Sequence, residues 1–319
     1  MLSERQLIPY SKGNKWGFCD AKKNILIVPK YDEVYQFTEE MSLVKLNDKY
    51  GFVNQNGDEV IELKYKDANQ FSEGLAVACS DNDRYGYIDK RGREVIDFVY
   101  GKASNFSEGL AYVDLESEVN LYGGWFINAL GEEVFELIHF FWSDFEDGLC
   151  CVMNDDKYGF IDKSGKTVIS LIYDSASSFS EGLAAVRIGR EFGFINKKGE
   201  RVLEIKYNQV TDFIGGAALV EYKKRKFFIN KAGQELFIPS RVTEKYDDMD
   251  LFDTELIRVK TSTGNYLRGK FGFIDKSGNE VIPVKYDWTD YEFVSNVIKV
   301  KLGDKYFYIG KDETEYFED

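Results

Sequence analysis

The hexapeptide Phe-Ser-Glu-Gly-Leu-Ala occurs three times without change, at Phe71–Ala76, Phe106–Ala111 and Phe179–Ala184. Degenerate copies begin at Phe37, Phe145, Phe213, Phe252 and Phe293, and the steps between the eight phenylalanines are 34, 35, 39, 34, 34, 39 and 41 residues. Repetition at this spacing marks supersecondary units that cannot bury an apolar face alone and must stack on their neighbours. The whole of 1–319 therefore reads as one repeat array, with a partial N-terminal unit over 7–36 and units beginning near the eight phenylalanines.

Two further landmarks recur in fixed order with the first. One is an aromatic-Gly-aromatic-Ile segment ending in Asp or Asn, as in Tyr158-Gly159-Phe160-Ile161-Asp162 and Phe271-Gly272-Phe273-Ile274-Asp275, with related copies starting at Trp16, Tyr50, Tyr85 and Phe192. Alternation of this kind marks a short strand. The other follows at once: four residues with Asp or Asn first and Gly fourth, as at Asp89 to Gly92, Asn196 to Gly199 and Asn128 to Gly131. That is a type I turn signature, in which the first side chain caps backbone donors and the glycine accepts a left-handed conformation. A second apolar strand then leads through a bend carrying Tyr and often Asp, as at Tyr31-Asp32 and Tyr286-Asp287, and a third strand runs from the Gly-Leu-Ala segment into a valine. The turn glycine precedes the next landmark phenylalanine by 14 residues in five copies, so the connection between them is geometrically fixed.

The residues that carry these landmarks resemble the WG-repeat family of bacterial β-hairpin repeats: Lys15-Trp16-Gly17-Phe18, then Ile27-Val28-Pro29-Lys30-Tyr31-Asp32, then the Phe-Ser-Glu-Gly-Leu-Ala segments. The likeness runs from about Leu7 to Ile309. It departs from the pattern where Tyr or Phe replaces the tryptophan and where Phe227 and Phe307 stand at the glycine position. The resemblance implies an array of β-hairpins with a binding or scaffolding role, and no shared catalytic residue.

Composition narrows the function classes. A net charge of −14 argues against nucleic acid and anionic membrane as partners, because both require a cationic face. No apolar run approaches the ~20 residues of a membrane span. The start Met1-Leu2-Ser3-Glu4-Arg5-Gln6 lacks the features of a secretory signal, and Cys19, Cys79, Cys150 and Cys151 show no C-x-x-C spacing. A cytoplasmic protein with buried thiols is expected.

A search for chemistry returns little. The single histidine, His139, stands where other copies have the Tyr-containing bend, with no second histidine or adjacent nucleophile in support. Glu73, Glu108 and Glu181, with Asp147 as the equivalent, recur at one repeat position, as a structural capping group does and a single active site does not. The cluster Asp247-Asp248-Met249-Asp250 lacks the Gly and distal Glu of an EF-hand loop. No catalytic, metal or cofactor residue is assigned. The basic run Lys223-Lys224-Arg225-Lys226 reads as an exposed hairpin loop.

The array departs from its own rule at two expanded loops. From the valine ending the third strand to the glycine position takes 7 residues in five copies, but 12 from Val113 to Trp125 and 13 from Val259 to Gly272. Insertions in repeat proteins map to loops, where binding residues concentrate. The partner-binding candidates are therefore Glu116, Glu118, Tyr122, Trp125, His139, Trp142, Tyr266 and Arg268.

The expectation is an all-β tandem array of about eight three-stranded hairpin units, as a solenoid or superhelix, with a closed β-propeller-like ring as the alternative. The expected function is non-enzymatic: a protein-binding or scaffold role, including an acidic inhibitor or immunity-type partner of a basic protein. Binding of a small ligand or glycan by exposed aromatics, and an enzyme with an unrecognised site, are the rivals.

Overall fold

The computed structural model describes every residue except 1–6, 116–123, 139–140, 237–241, 243–244, 252–254, 266–267, 292, 295 and 319. The backbone is β throughout, apart from helical residues at Val242 and Lys245, and no helix is long and apolar enough to cross a membrane among the described residues. The expected all-β hairpin-repeat array is what forms.

The described residues fall into two compact units. One comprises Met1–Phe140, Lys163–Gly165 and Tyr316–Asp319; the other comprises Phe141–Asp162 and Lys166–Glu315. In the first lie the four-stranded antiparallel sheets that span 33–65, 67–100 and 102–137, preceded by the strands Ile8–Lys12, Lys15–Cys19 and Ile25–Tyr31. The chain's last strand joins this unit: Ser11 pairs with Phe317 and Lys12 with Glu318 in parallel register. In the second lie the sheets that span 141–173, 175–207, 209–236 and 248–286, followed by Trp288–Thr289, Val297–Leu302 and Lys305–Gly310.

Each four-stranded sheet is a meander, and the sheet over 33–65 shows the plan. Glu33–Val34, Met41–Leu46, Lys49–Asn54 and Glu59–Tyr65 lie side by side in chain order. Three of these strands are the expected ones. The fourth, of two residues, forms where the sequence shows only a bend after the tyrosine. Glu33 pairs with Lys45 and Val34 with Val44, so the bend is drawn into the ladder. A four-stranded antiparallel sheet is the make-up of a propeller blade.

The glycine of the aromatic-Gly segment has a steric cause. A Cβ at Gly51 would lie 2.5 Å from the Ile61 carbonyl oxygen, and one at Gly159 would lie 2.5 Å from that of Ile169. At both places the neighbouring strand carries a register shift, so the bulge presses backbone against backbone where only hydrogen fits. Where Phe227 replaces the glycine, the described part of the partner strand is Glu235–Leu236, which pairs with Phe228 and Ile229.

The core is a series of aromatic pairs, one per repeat. The ring after the glycine meets the next landmark phenylalanine: Phe18 with Phe37, Phe52 with Phe71, Tyr87 with Phe106, Phe160 with Phe179, and Phe194 with Phe213, at centroid distances of 4.7–5.0 Å. Repeats are then keyed to each other by the type I turns. The turn glycines Gly92, Gly131 and Gly199 sit against Ile61, Ile96 and Ile169 of the preceding edge strand.

Candidate functional site

The acid of the repeated hexapeptide is used between repeats. Glu73 and Glu181 sit at φ of 54° and 53°, a left-handed conformation unfavourable for a residue with a Cβ. What holds them there is one repeat ahead. In the first unit Gly109 N–H donates to Glu73 at 2.8 Å and Gly74 N–H to Glu39 at 3.0 Å; in the second, Gly182 N–H donates to Asp147 at 2.7 Å and Gly216 N–H to Glu181 at 3.0 Å. A lysine from the next turn but one closes the clamp: Lys90 on Glu39 at 3.3 Å, Lys163 on Glu108 at 3.0 Å and Lys231 on Glu181 at 3.0 Å. Burial pushes the Glu181 carboxyl up, but Lys231 and the Gly216 amide together hold it below the usual glutamate range. The motif serine adds a further tie, Ser72 Oγ to the Phe106 carbonyl and Ser180 Oγ to that of Phe213, both 2.7 Å.

The aspartate after the bend tyrosine has an equally structural use. It salt-bridges a lysine of the aromatic-Gly strand in the preceding sheet and caps the next hairpin turn. Asp32 takes Lys15 at 2.5 Å and the Asn47 amide at 2.8 Å; Asp174 takes Lys157 at 2.6 Å and the Gly189 amide; Asp287 takes Lys270 at 2.6 Å and the Gly303 amide at 2.9 Å. These lysine partners hold all three carboxyls below the ordinary aspartate range. The polar residues that recur in every repeat are thus consumed by the array.

The sequence-derived candidates are placed unevenly. Glu116, Glu118, Tyr122, His139 and Tyr266 lie outside the described residues. Trp142 lies on the two-residue strand Phe141–Trp142 and pairs with Val152. Arg268 pairs with Asn265 at the tip of a long hairpin formed by Leu256–Asn265 and Arg268–Asp275, which is the expanded loop after Val259. Trp125 pairs with Val113 and packs, partly buried, against the core around Tyr87, Phe106 and Ile127, so that side chain is a wall of the core. The basic run forms a hairpin turn with Lys223 and Lys224 at positive φ; its Arg225 is salt-bridged to Glu235 and its Lys226 to Asp248.

One cluster in the second unit breaks the repeat rule. Arg258 takes a position held elsewhere by Cys151, Ala185 or Leu219, and its side chain is only 13% exposed. Its guanidinium grips Asp250 at 2.7 Å, reaches the Asp290 carbonyl at 3.3 Å, and lies 5.1 Å from the ring centroid of Tyr291. Asp250 belongs to the acidic run noted in the sequence, in which Asp248 also has a cationic partner, Lys226 at 3.1 Å. Among the described residues no group of three His, Cys, Asp or Glu side chains is arranged to hold a metal ion. Cys150 and Cys151 are buried, and burial pushes both thiols up to about 12, far from a nucleophilic thiolate at neutral pH.

Part of the surface outside these clamps is formed by the last strand of each four-stranded sheet. On the edge strand Glu94–Tyr100, Ile96 is buried while Val95, Asp97 and Val99 point outward. On Glu133–Leu137, Leu137 is buried while Val134 and Glu136 are exposed, followed by exposed Ile138. Sequence reasoning treated these segments only as apolar strands; the signal is an acid flanked two residues either side by aliphatics.

Comparison with known proteins places the chain. No curated protein matches the sequence. Among solved structures, it is similar to one described as the crystal structure of the eukaryotic initiation factor, at 10% identity and a TM-score of 0.63, over 97% of this chain and 94% of that one. It also matches the computationally designed Ika8 protein at 11% identity and a TM-score of 0.49, over 88% of this chain and 93% of that one. A third match is BamB from Moraxella catarrhalis, at 9% identity and a TM-score of 0.46, over 86% of this chain and 95% of that one. At such identities the first likeness is one of fold alone. The model of the WG containing repeat matches residues 16–50, 50–82, 85–117, 158–190, 192–225 and 271–306, more than half of the sequence. The chain belongs to the family of proteins built from WG-containing repeats.

Proposed function

We propose that the chain is a non-enzymatic binding protein whose partner is a basic protein. The observation that carries this reading is the division of labour among its polar residues. The repeated acids that would be first choice for chemistry, Glu73, Glu181, Asp32 and Asp174, are engaged in clamps between and within repeats. Among the acids outside the clamps, Asp97 and Glu136 stand on exposed edge strands beside aliphatic side chains. With a net charge of −14, such edges favour a cationic protein over a nucleic acid or an anionic membrane. An inhibitor or immunity-type role, in which the array masks a basic surface, is the specific form we favour. The buried, unbridged thiols suit a reducing compartment such as the cytoplasm.

Affinity capture of the intact chain from its own cells tests the reading. A basic protein recovered in stoichiometric amount, and released as salt is raised, is expected; repeated recovery of the chain alone contradicts it.

A further inference from the structure

The open edges of the two strands Glu94–Tyr100 and Glu133–Leu137 differ from those of the second unit. Each of the two strands ends its sheet, so among the described residues one side of its backbone has no strand neighbour. On the first, Val95 is 42% exposed and Val99 46%, with the exposed Asp97 between them; on the second, Val134 is 43% exposed and Ile138 68%, with the exposed Glu136 between them. The two edges are consecutive, because the Gly131 turn that leads into the second packs on Ile96 of the first. The edge strand Arg201–Tyr207 instead presents Val202, Glu204 and Lys206, and Lys206 neutralises Glu204 at 3.2 Å. On Thr167–Tyr173 the position of the acid is held by Ser170.

Exposed edge strands are ordinarily protected by charge or by a bulge, since unpaired backbone recruits other strands. Both strands carry a bulge against their inner partner, between Glu94 and Tyr100 and between Glu133 and Phe135, and the Phe98 N–H already donates to the Glu94 carboxylate at 3.3 Å. The outward side chains nonetheless run apolar, acidic, apolar, with a single sign of charge, and a strand added alongside would satisfy the backbone donors and acceptors left open along the edge. Its aliphatic side chains would pair with the valines, and its cation with the carboxylate.

Building on the proposed binding role, we infer that these two edges are the docking surface, and that they take an extended segment of a basic protein in which every second residue, on the face that meets the valines and acids, runs aliphatic, Lys or Arg, aliphatic. Charge complementarity selects that occupant, and main-chain hydrogen bonding requires it to be extended.

The test uses the full chain and a labelled synthetic peptide with valine, lysine and valine at every second position and threonine between them, so that one face of the extended peptide runs valine, lysine, valine. Saturable binding is expected, weakened about tenfold or more by Asp97→Lys combined with Glu136→Lys, and clearly weakened by Asp97→Asn with Glu136→Gln. A peptide N-methylated at alternate amides is expected not to bind, and Glu204→Lys is expected to leave the affinity within about twofold of the parent. Equal weakening by Glu204→Lys, or undiminished binding of the N-methylated peptide, overturns the edge as the site. So does a captured basic protein whose recovery is untouched by the double substitution, an outcome that leaves the binding role itself standing.

Discussion

The Glu73 carboxylate accepts a hydrogen bond from the Gly109 backbone N–H at 2.8 Å, linking two copies of the same hexapeptide one repeat apart. The glutamate adopts a φ of 54° to do so. Each clamp therefore trades local backbone strain for an inter-repeat bond, and the trade repeats along the chain. Replacing Glu73 by Gln should lower the urea stability by about 1 kcal/mol, since the charge-assisted bond is weakened at an exposed site. Glu73→Gly should cost less than Glu73→Ala, because glycine relieves roughly 1 kcal/mol of left-handed strain. The reverse order would mean that left-handed backbone strain is not the cost that the φ of Glu73 implies.

Two glycines with different reasons for being glycine should respond differently to alanine. At Gly109, with a φ of 86° and open space around the missing Cβ, the cost should be about 1 kcal/mol from backbone conformation alone. At Gly159 a Cβ would lie 2.5 Å from the Ile169 carbonyl oxygen and 2.8 Å from the Leu171 amide nitrogen, so the bulged strand must move. There the cost should reach roughly 3 kcal/mol. Chemical denaturation of the two variants compares them directly.

The clamps set an acid limit. Lys30 holds the Glu59 carboxyl below its ordinary value, Lys15 does so for Asp32 and Lys270 for Asp287. A carboxyl lowered in the folded state stabilises fully above its unfolded pKa, about 4.3 for Glu and 3.9 for Asp, and that stability is lost as pH falls through the folded value. Asp144, raised by burial, works in the opposite sense. The lowered carboxyls outnumber it, so the denaturation midpoint should be level from neutral pH to about 5 and fall below that. A midpoint that rises on acidification would contradict the clamp assignment.

Arg258 and Asp250 form a partly enclosed ion pair of the second unit, with side chains 13% and 36% exposed. Removing the cation alone leaves a partly desolvated carboxylate, so Arg258→Ala should cost about 2 kcal/mol, less than a fully buried pair because Asp250 meets solvent. The double substitution with Asp250→Asn should recover part of that loss, and a thermodynamic cycle on the four proteins measures the coupling.

Much of this fold is legible in the sequence, for physical reasons. The Asp-x-x-Gly signature at Asp89 to Gly92 folds as read: Asp89 Oδ1 accepts from the Arg91 and Arg93 amides at 2.9 Å, and Gly92 takes a φ of 73°. The valine-to-glycine spacing marks true cross-strand partners, since Val44 pairs with Gly51, Val152 with Gly159 and Val186 with Gly193. The short fourth strand is not legible, because two residues such as Asp67–Ala68 cannot display alternation. Nor are the clamps: Glu181 reads as a local cap, whereas its amide partner, Gly216, is 35 residues away. The outward edge was hidden by its own composition, since Val95-Ile96-Asp97-Phe98-Val99 reads as an apolar run until Ile96 and Phe98 are seen to face inward.

The central claim is that the chain binds a protein rather than transforming a substrate. Capture of the intact chain from its own cells, with the bound fraction quantified against salt, tests it most directly. The account predicts one dominant basic partner in near-equal amount, lost progressively as ionic strength rises. Recovery of the chain with no stoichiometric protein, or with a partner of net negative charge held independently of salt, would contradict it.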